Sequence, residues 1–311
     1  MIPGGTQSFH GIYHANVCPL KEDLSIDENA LAKHVTSIAA VPGIIGVLCN
    51  GHAGENFTLN RAEKRRVVEI VRDAIGDRKV VVSGINSESS AEAAEQALDA
   101  RKAGADALLI FPPFSWALSQ DDKVAVTHHR MVIEAVGNMP IMLYQAPVGS
   151  GMMAYGPAVL EQLVRLPHVV GIKEGSWETS RYEANLRLVR RIAPHVAVMA
   201  SGDEHLFPCF VLGSDGSQVS IACLIPEAVV ALDEAVRRDD LDAARTAHNI
   251  IYPLAKVLYG TPPGSHATAR IKTALKLLGK LDCDSVRPPL GPLGPSETEM
   301  LADALRTCGL L

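Results

Sequence analysis

Lys173 closes an apolar run, Val169-Val170-Gly171-Ile172, and is followed by Glu174 and Gly175. Side chains alternate along an extended strand, so Val169, Gly171 and Lys173 share one face and Val170 and Ile172 the other. If the second pair meets surrounding helices, Lys173 enters the interior. An ammonium group there is desolvated, its pKa falls, and the neutral amine that results attacks a carbonyl. That is what a Schiff-base lysine requires. A strand-end lysine paired with Glu174, or bathed in water, fits the same local pattern.

Two further features bear on this. Tyr144 lies 29 residues before Lys173, about one strand–helix unit, which puts it at the same height on a neighbouring strand. A phenol there relays protons to a carbinolamine or to a carbon being made or broken; a ring that only packs fits equally well. The segment Gly51-His52-Ala53-Gly54-Glu55 carries two glycines. They allow close approach of backbone to ligand, and successive N–H groups form an anion-binding concavity suited to a carboxylate beside a reactive carbonyl. The segment also reads as a plain turn. His52 is either a hydrogen-bonding or acid–base group or a polar loop residue.

The elements that must hold these residues follow a repeat. Short β-branched runs at Gly11–Tyr13, Ile44–Leu48, Val80–Ser83, Ala107–Phe111, Ile141–Tyr144, Val169–Lys173, Val196–Ala200 and Gln218–Ile221 read as eight strands. Most lack polar alternation, as in a parallel sheet buried on both faces. Helical stretches lie between them. Ser25/Glu28, Asn60/Glu63, Ser89/Glu92, Ser119/Asp122 and Ser180/Glu183 have capping-box spacing or a close relative of it. Gly43, Gly104 and Gly213 read as left-handed helix ends just before strands. Eight such units predict a (β/α)8 TIM barrel. A doubly wound sheet would place a glycine-rich turn after the first strand, where this chain has His14-Ala15-Asn16-Val17-Cys18-Pro19. The expected division is a barrel over 1–235 carrying the site and a C-terminal helical region over 236–311.

Composition narrows the partners. The 311 residues are 47% hydrophobic and 21% charged, with a formal net charge of −6. A mildly acidic chain without a basic stripe argues against nucleic acid and anionic membranes as main partners. No apolar run approaches the ~18 residues of a membrane span. The start, Met1-Ile2-Pro3-Gly4-Gly5, does not read as a signal peptide. Six scattered cysteines without CxxC spacing read as reduced core thiols of a cytoplasmic protein.

The motifs Gly51-x-x-Gly54-Glu55, Leu143-Tyr144-x-x-Pro147, Gly171-Ile172-Lys173-Glu174 and Ser201-Gly202-Asp203, in this order across nearly the whole chain, resemble the dihydrodipicolinate synthase/N-acetylneuraminate lyase family. The resemblance implies a class I aldolase that forms an imine with pyruvate or a related 2-oxo acid and needs no metal or cofactor. It makes Lys173 the Schiff-base lysine and Tyr144 the proton relay, with the backbone N–H groups of His52 and Ala53 on the carboxylate. It also implies a homo-oligomer, dimer or tetramer.

This sequence departs from the synthases of that family at the second-substrate end. They carry Thr or Ser where this chain has His52 and Ala53, a tyrosine in the segment that reads Pro113-Phe114-Ser115-Trp116, and an arginine where it reads Val148-Gly149-Ser150-Gly151. Gln218, inward on the eighth strand, adds a polar group to the pocket. The expectation is an imine-forming aldolase or dehydratase with a diverged second-substrate site, suited to a neutral or longer acceptor such as a sugar-acid tail. A synthase condensing pyruvate with aspartate semialdehyde and a non-catalytic barrel that binds a 2-oxo or sugar acid are the alternatives. An arginine from another loop, such as Arg181, is the candidate substitute for the missing contact.

Overall fold

The computed structural model describes residues 9–118 and 121–311. Eight parallel strands, β1 (Gly11–Ala15), β2 (Ile44–Cys49), β3 (Val80–Ile85), β4 (Ala107–Ile110), β5 (Ile141–Gln145), β6 (Val169–Glu174), β7 (Ala197–Ala200) and β8 (Gly216–Val219), pair in sequence order and close through β1–β8. Helices α1 (Glu28–Ala39), α2 (Arg61–Ile75), α3 (Ser90–Lys102), α4 (Asp122–Val136), α5 (Pro157–Val164), α6 (Thr179–Ile192), α7 (Leu206–Val211) and α8 (Pro226–Arg237) follow the strands in turn. This is the predicted TIM barrel. Its strands are buried almost throughout, because the interior meets one face and the helices the other.

The strand ends differ from expectation by a few residues. The eighth strand starts at Gly216, two residues before Gln218, and gives way at Ile221 to a short 3-10 turn. Gly216 has φ +148°, and a Cβ on it would lie 2.0 Å from the Gly11 carbonyl oxygen. Only glycine lets β8 run this close to β1.

The start signals were partly right. Asn60 and Glu63 form a reciprocal capping box, at 3.0 and 2.9 Å. Ser89 accepts from the Glu92 N–H. Ser25 does not cap α1: its hydroxyl donates to Asp23, and Asp27 takes the cap. Ser180 lies inside the first turn of α6, after Glu178 at the N-cap. Ser119 and Met1–Gly5 lie outside the described residues, and Asp121 caps α4. Gly43, Gly104 and Gly213 have φ of +88°, +99° and +97°, the expected left-handed turns.

After α8 come α9 (Leu241–Leu258), α10 (Ala267–Leu277) and α11 (Pro295–Thr307). Two ion pairs tie this region to the end of the barrel where the strands terminate. Lys272 of α10 pairs with Glu55 in the loop after β2, both side chains fully buried. Arg287 grips Glu63 at the start of α2 with two nitrogens, at 2.8 and 2.6 Å. No helix among the described residues is long and apolar enough to cross a membrane. All six cysteines are free thiols, and Cys18, Cys49, Cys209 and Cys223 are buried in the core.

Candidate active site

Lys173 stands at the C-terminal end of β6 and is 9% exposed. Its neighbour Glu174 turns away from it. That carboxylate accepts from the Ser176 N–H and hydroxyl at 3.2 and 2.9 Å and from Asn185 at 2.8 Å. The alternative of a Lys173–Glu174 pair is thereby removed, and among the described residues no carboxylate lies within ion-pair distance of the Lys173 Nζ. Burial lowers the Lys173 pKa to about 8, with the Asp203 carboxylate pulling it upward. About a tenth of the amine is therefore neutral at pH 7.

Tyr144 is the β5 partner of Lys173 in the strand register, so the same-height expectation holds. The Nζ sits 5.8 Å from the Tyr144 ring centroid. Burial raises the Tyr144 pKa and keeps the phenol protonated, with the Glu174 charge adding to the effect. Gly175 makes room for the ring: a Cβ there would lie 2.9 Å from the Gln145 carbonyl oxygen and 3.3 Å from the tyrosine ring.

The loop after β2 forms the next wall. Among the described residues no group accepts a hydrogen bond from the N–H of His52 or Ala53, although Gly54, Glu55 and Asn56 all turn their N–H groups back onto the loop. The His52 ring is packed, not a solvated loop side chain. It lies 4.4 Å from the Phe111 ring, 6.0 Å from Phe114 and edge-on at 5.4 Å to Tyr144. Burial, assisted by Lys173, lowers its pKa to about 3, so it is neutral, and its Nε2 has no partner. Asn50 and Glu55 bracket this loop with positive φ, 53° and 56°. Glu55 in that region is strained backbone, held by the buried pair with Lys272.

Lys173, Tyr144, His52, Ala53 and Gln218 together line a 70 Å³ cavity at the barrel mouth. Gln218 is fully buried, with its Oε1 unpartnered. Gly51 does not line the cavity: its carbonyl accepts from Gly54 and Asn56, so it shapes the turn. A second cavity of 660 Å³ opens outward and shares His52, Ala53, Tyr144, Trp177 and Tyr259 with the first. Phe114 lies in its wall. Arg181 lines neither cavity.

The sequence reading missed a hydroxyl–carboxylate chain beside Lys173. Tyr259, just past α9, contacts the Ser220 hydroxyl, which donates to Asp203 at 3.3 Å; the Ile221 N–H donates to the same carboxylate at 3.2 Å. Burial raises the Asp203 pKa to about 6. Ser201-Gly202-Asp203 was visible as a motif, but the link to Tyr259 spans the barrel and the C-terminal helices. No local spacing signals it.

Residues 8–308 match the model of the dihydrodipicolinate synthetase family. Among curated proteins, the 4-hydroxy-tetrahydrodipicolinate synthase of Methanothrix thermoacetophila is 31% identical over 299 residues, 96% of each chain. That of Methanopyrus kandleri is 30% identical over 303 residues, 97% of each. Among solved structures, the chloride-inhibited dihydrodipicolinate synthase of Acinetobacter baumannii complexed with pyruvate superposes with a TM-score of 0.86 at 26% identity, covering 98% of this chain and 100% of that one. Matched from end to end of the barrel and through the C-terminal helices, the chain belongs to the dihydrodipicolinate synthetase family.

Proposed function

We propose that this lyase-family protein is a class I enzyme that joins to, or releases from, a 2-oxo acid such as pyruvate a second carbonyl fragment through an imine on Lys173. The observation that carries the reading is a buried lysine, with no carboxylate in ion-pair distance among the described residues, side by side with a protonated phenol on a cavity wall.

The chemistry follows from those groups. The neutral Lys173 amine attacks C2 of the 2-oxo acid, and the carbinolamine hydroxyl, protonated by Tyr144, leaves as water to give a protonated imine. That cation draws electrons from C3, so transfer of a C3 proton to the Tyr144 phenolate gives an enamine and restores the phenol. The enamine carbon bonds to an aldehyde carbon, whose oxygen takes a proton from Tyr144. Cleavage is the same path reversed, and water then frees the lysine. The unengaged N–H groups of His52 and Ala53 fit the carboxylate of the 2-oxo acid, and the unpartnered Oε1 of Gln218 adds an acceptor at the cavity wall.

The site over 1–235 takes part of its outer wall from the helical region 236–311, through Tyr259 and Thr268. The notional boundary cuts the last turn of α8, which runs to Arg237. Free buried thiols agree with a cytoplasmic protein, and the family resemblance supports a homo-oligomer.

The curated relatives favour a second reading, condensation of pyruvate with aspartate semialdehyde. Against it, Gly149-Ser150-Gly151 offers no arginine, and among the described residues Lys173 is the only Lys or Arg lining either cavity. The test is a retro-aldol assay across 4-hydroxy-2-oxo acids, following pyruvate release. Turnover abolished by Lys173→Ala supports the lyase. Binding of 2-oxo acids without turnover of any of them points to a non-catalytic barrel.

A further inference from the structure

The two cavities differ in chemistry as well as size. The inner one presents Lys173, Asp203, Gln218 and Ser220 to a small acid. The outer one, which any fragment attached beyond C3 must enter, is walled largely by Phe57, Phe114, Met153, Trp177, Pro289 and Leu290. Its 660 Å³ lies within the ordinary range for a small-molecule site.

From this wall we infer that the second carbonyl fragment carries an uncharged aromatic arm, so that the substrate is a 4-aryl-4-hydroxy-2-oxobutanoate, made from or split into pyruvate and an aromatic aldehyde. The inference rests on the imine reading above and names the substrate class for that same site.

An anionic arm finds no cation: among the described residues no Lys or Arg lines the outer cavity. A polyol arm needs several partners; the Ser150 and Ser265 hydroxyls and the His52 ring are on this wall, but two further hydroxyls at the junction are committed. The Tyr259 hydroxyl is held at Ser220, and the Thr268 hydroxyl donates to the His52 carbonyl at 3.4 Å. Hydroxyls set against Phe57, Met153, Pro289 and Leu290 would be left unpaired. A planar ring meets rings instead. Phe114 lies alongside the His52 ring, and Trp177 packs edge-on to Tyr259 at 5.2 Å, leaving aromatic faces and edges at the junction for offset or edge-to-face contact.

The reaction balances without a further reagent. The enamine carbon of pyruvate forms one C–C bond to the aldehyde carbon, the carbonyl π pair moves to oxygen, and a proton from Tyr144 completes the alcohol. Hydrolysis of the protonated imine restores the neutral Lys173 amine and returns a proton to the Tyr144 phenolate.

The test uses the full chain, pyruvate, and three aldehydes: benzaldehyde, D-glyceraldehyde and succinic semialdehyde. The expected kcat/KM for benzaldehyde exceeds both others by at least about tenfold, a difference of roughly 1.4 kcal/mol. Equal or better use of glyceraldehyde or succinic semialdehyde overturns the inference. Leu290→Lys places a cation in the outer wall without touching the reacting atoms. It is expected to move the preference toward succinic semialdehyde at least fivefold while leaving the borohydride-trapped pyruvate adduct at the parent's yield. An unchanged preference, with the variant folded, removes the outer cavity as the site of the arm. Absence of any pyruvate adduct on the parent enzyme defeats the imine reading and this inference with it; an adduct without preference for the aromatic aldehyde defeats this inference alone.

Discussion

Tyr144 and Lys173 are register partners on adjacent strands, with the lysine nitrogen 5.8 Å from the phenol ring centroid. Parallel pairing fixes this geometry, because both side chains leave the sheet at the same height and on the same side. A phenol and a buried amine are thus held by backbone, not by flexible loops.

Replacing the donor isolates its proton. Tyr144→Phe is expected to keep the fold, since the buried ring still fills its space, and to slow turnover by roughly 10²–10⁴. Activity within threefold of the parent, at unchanged Tm, would assign the proton to another group, with the Tyr259–Ser220–Asp203 chain first in line.

The Lys173 pKa of about 8 sets the pH profile. Imine formation needs the neutral amine, so its rate is expected to climb about tenfold per pH unit below 8 and to level above it. The Asp203 charge raises that pKa, so Asp203→Asn should move the limb to lower pH. Stopped-flow rates with pyruvate from pH 6 to 9 check both; a limb that stays put or moves upward in the variant contradicts the placement of Asp203.

Glu55 looked in the sequence like part of an anion-binding loop, and its carboxylate is instead a structural anchor. Lys272→Met would leave it buried, with the Arg287 N–H at 2.9 Å as its remaining donor. Breaking a buried pair on one side costs about 3–5 kcal/mol. Urea unfolding should show that loss, and Glu55→Gln combined with Lys272→Met should recover part of it. A loss below about 1 kcal/mol would show that the pair contributes little.

With aspartate semialdehyde as the second substrate, kcat/KM is expected to fall below the ~10⁴ M⁻¹s⁻¹ floor of ordinary enzymes. A value at or above it restores the synthase reading and requires an anion contact outside the two cavities.

The barrel was legible because parallel strands buried on both faces leave bare β-branched runs, and because glycines mark the helix ends before them. Lys173 and Tyr144 followed from strand alternation and the 29-residue spacing. The packing of His52 was not legible, and its two readings stayed open, because its aromatic neighbours Phe111, Phe114 and Tyr144 come from other loops and strands. Ser25 failed as a cap because Asp23 captured its hydroxyl. Tyr259 stayed hidden because its partner Ser220 lies 39 residues away, across a helix boundary.

The most direct measurement is reduction with borohydride in the presence of pyruvate, followed by mass analysis of the peptides. A stable pyruvate-derived adduct on the peptide containing Lys173, lost in Lys173→Ala, is the result expected of a buried, partly neutral amine. An adduct of equal yield in that variant, or none on the parent enzyme, would contradict the account.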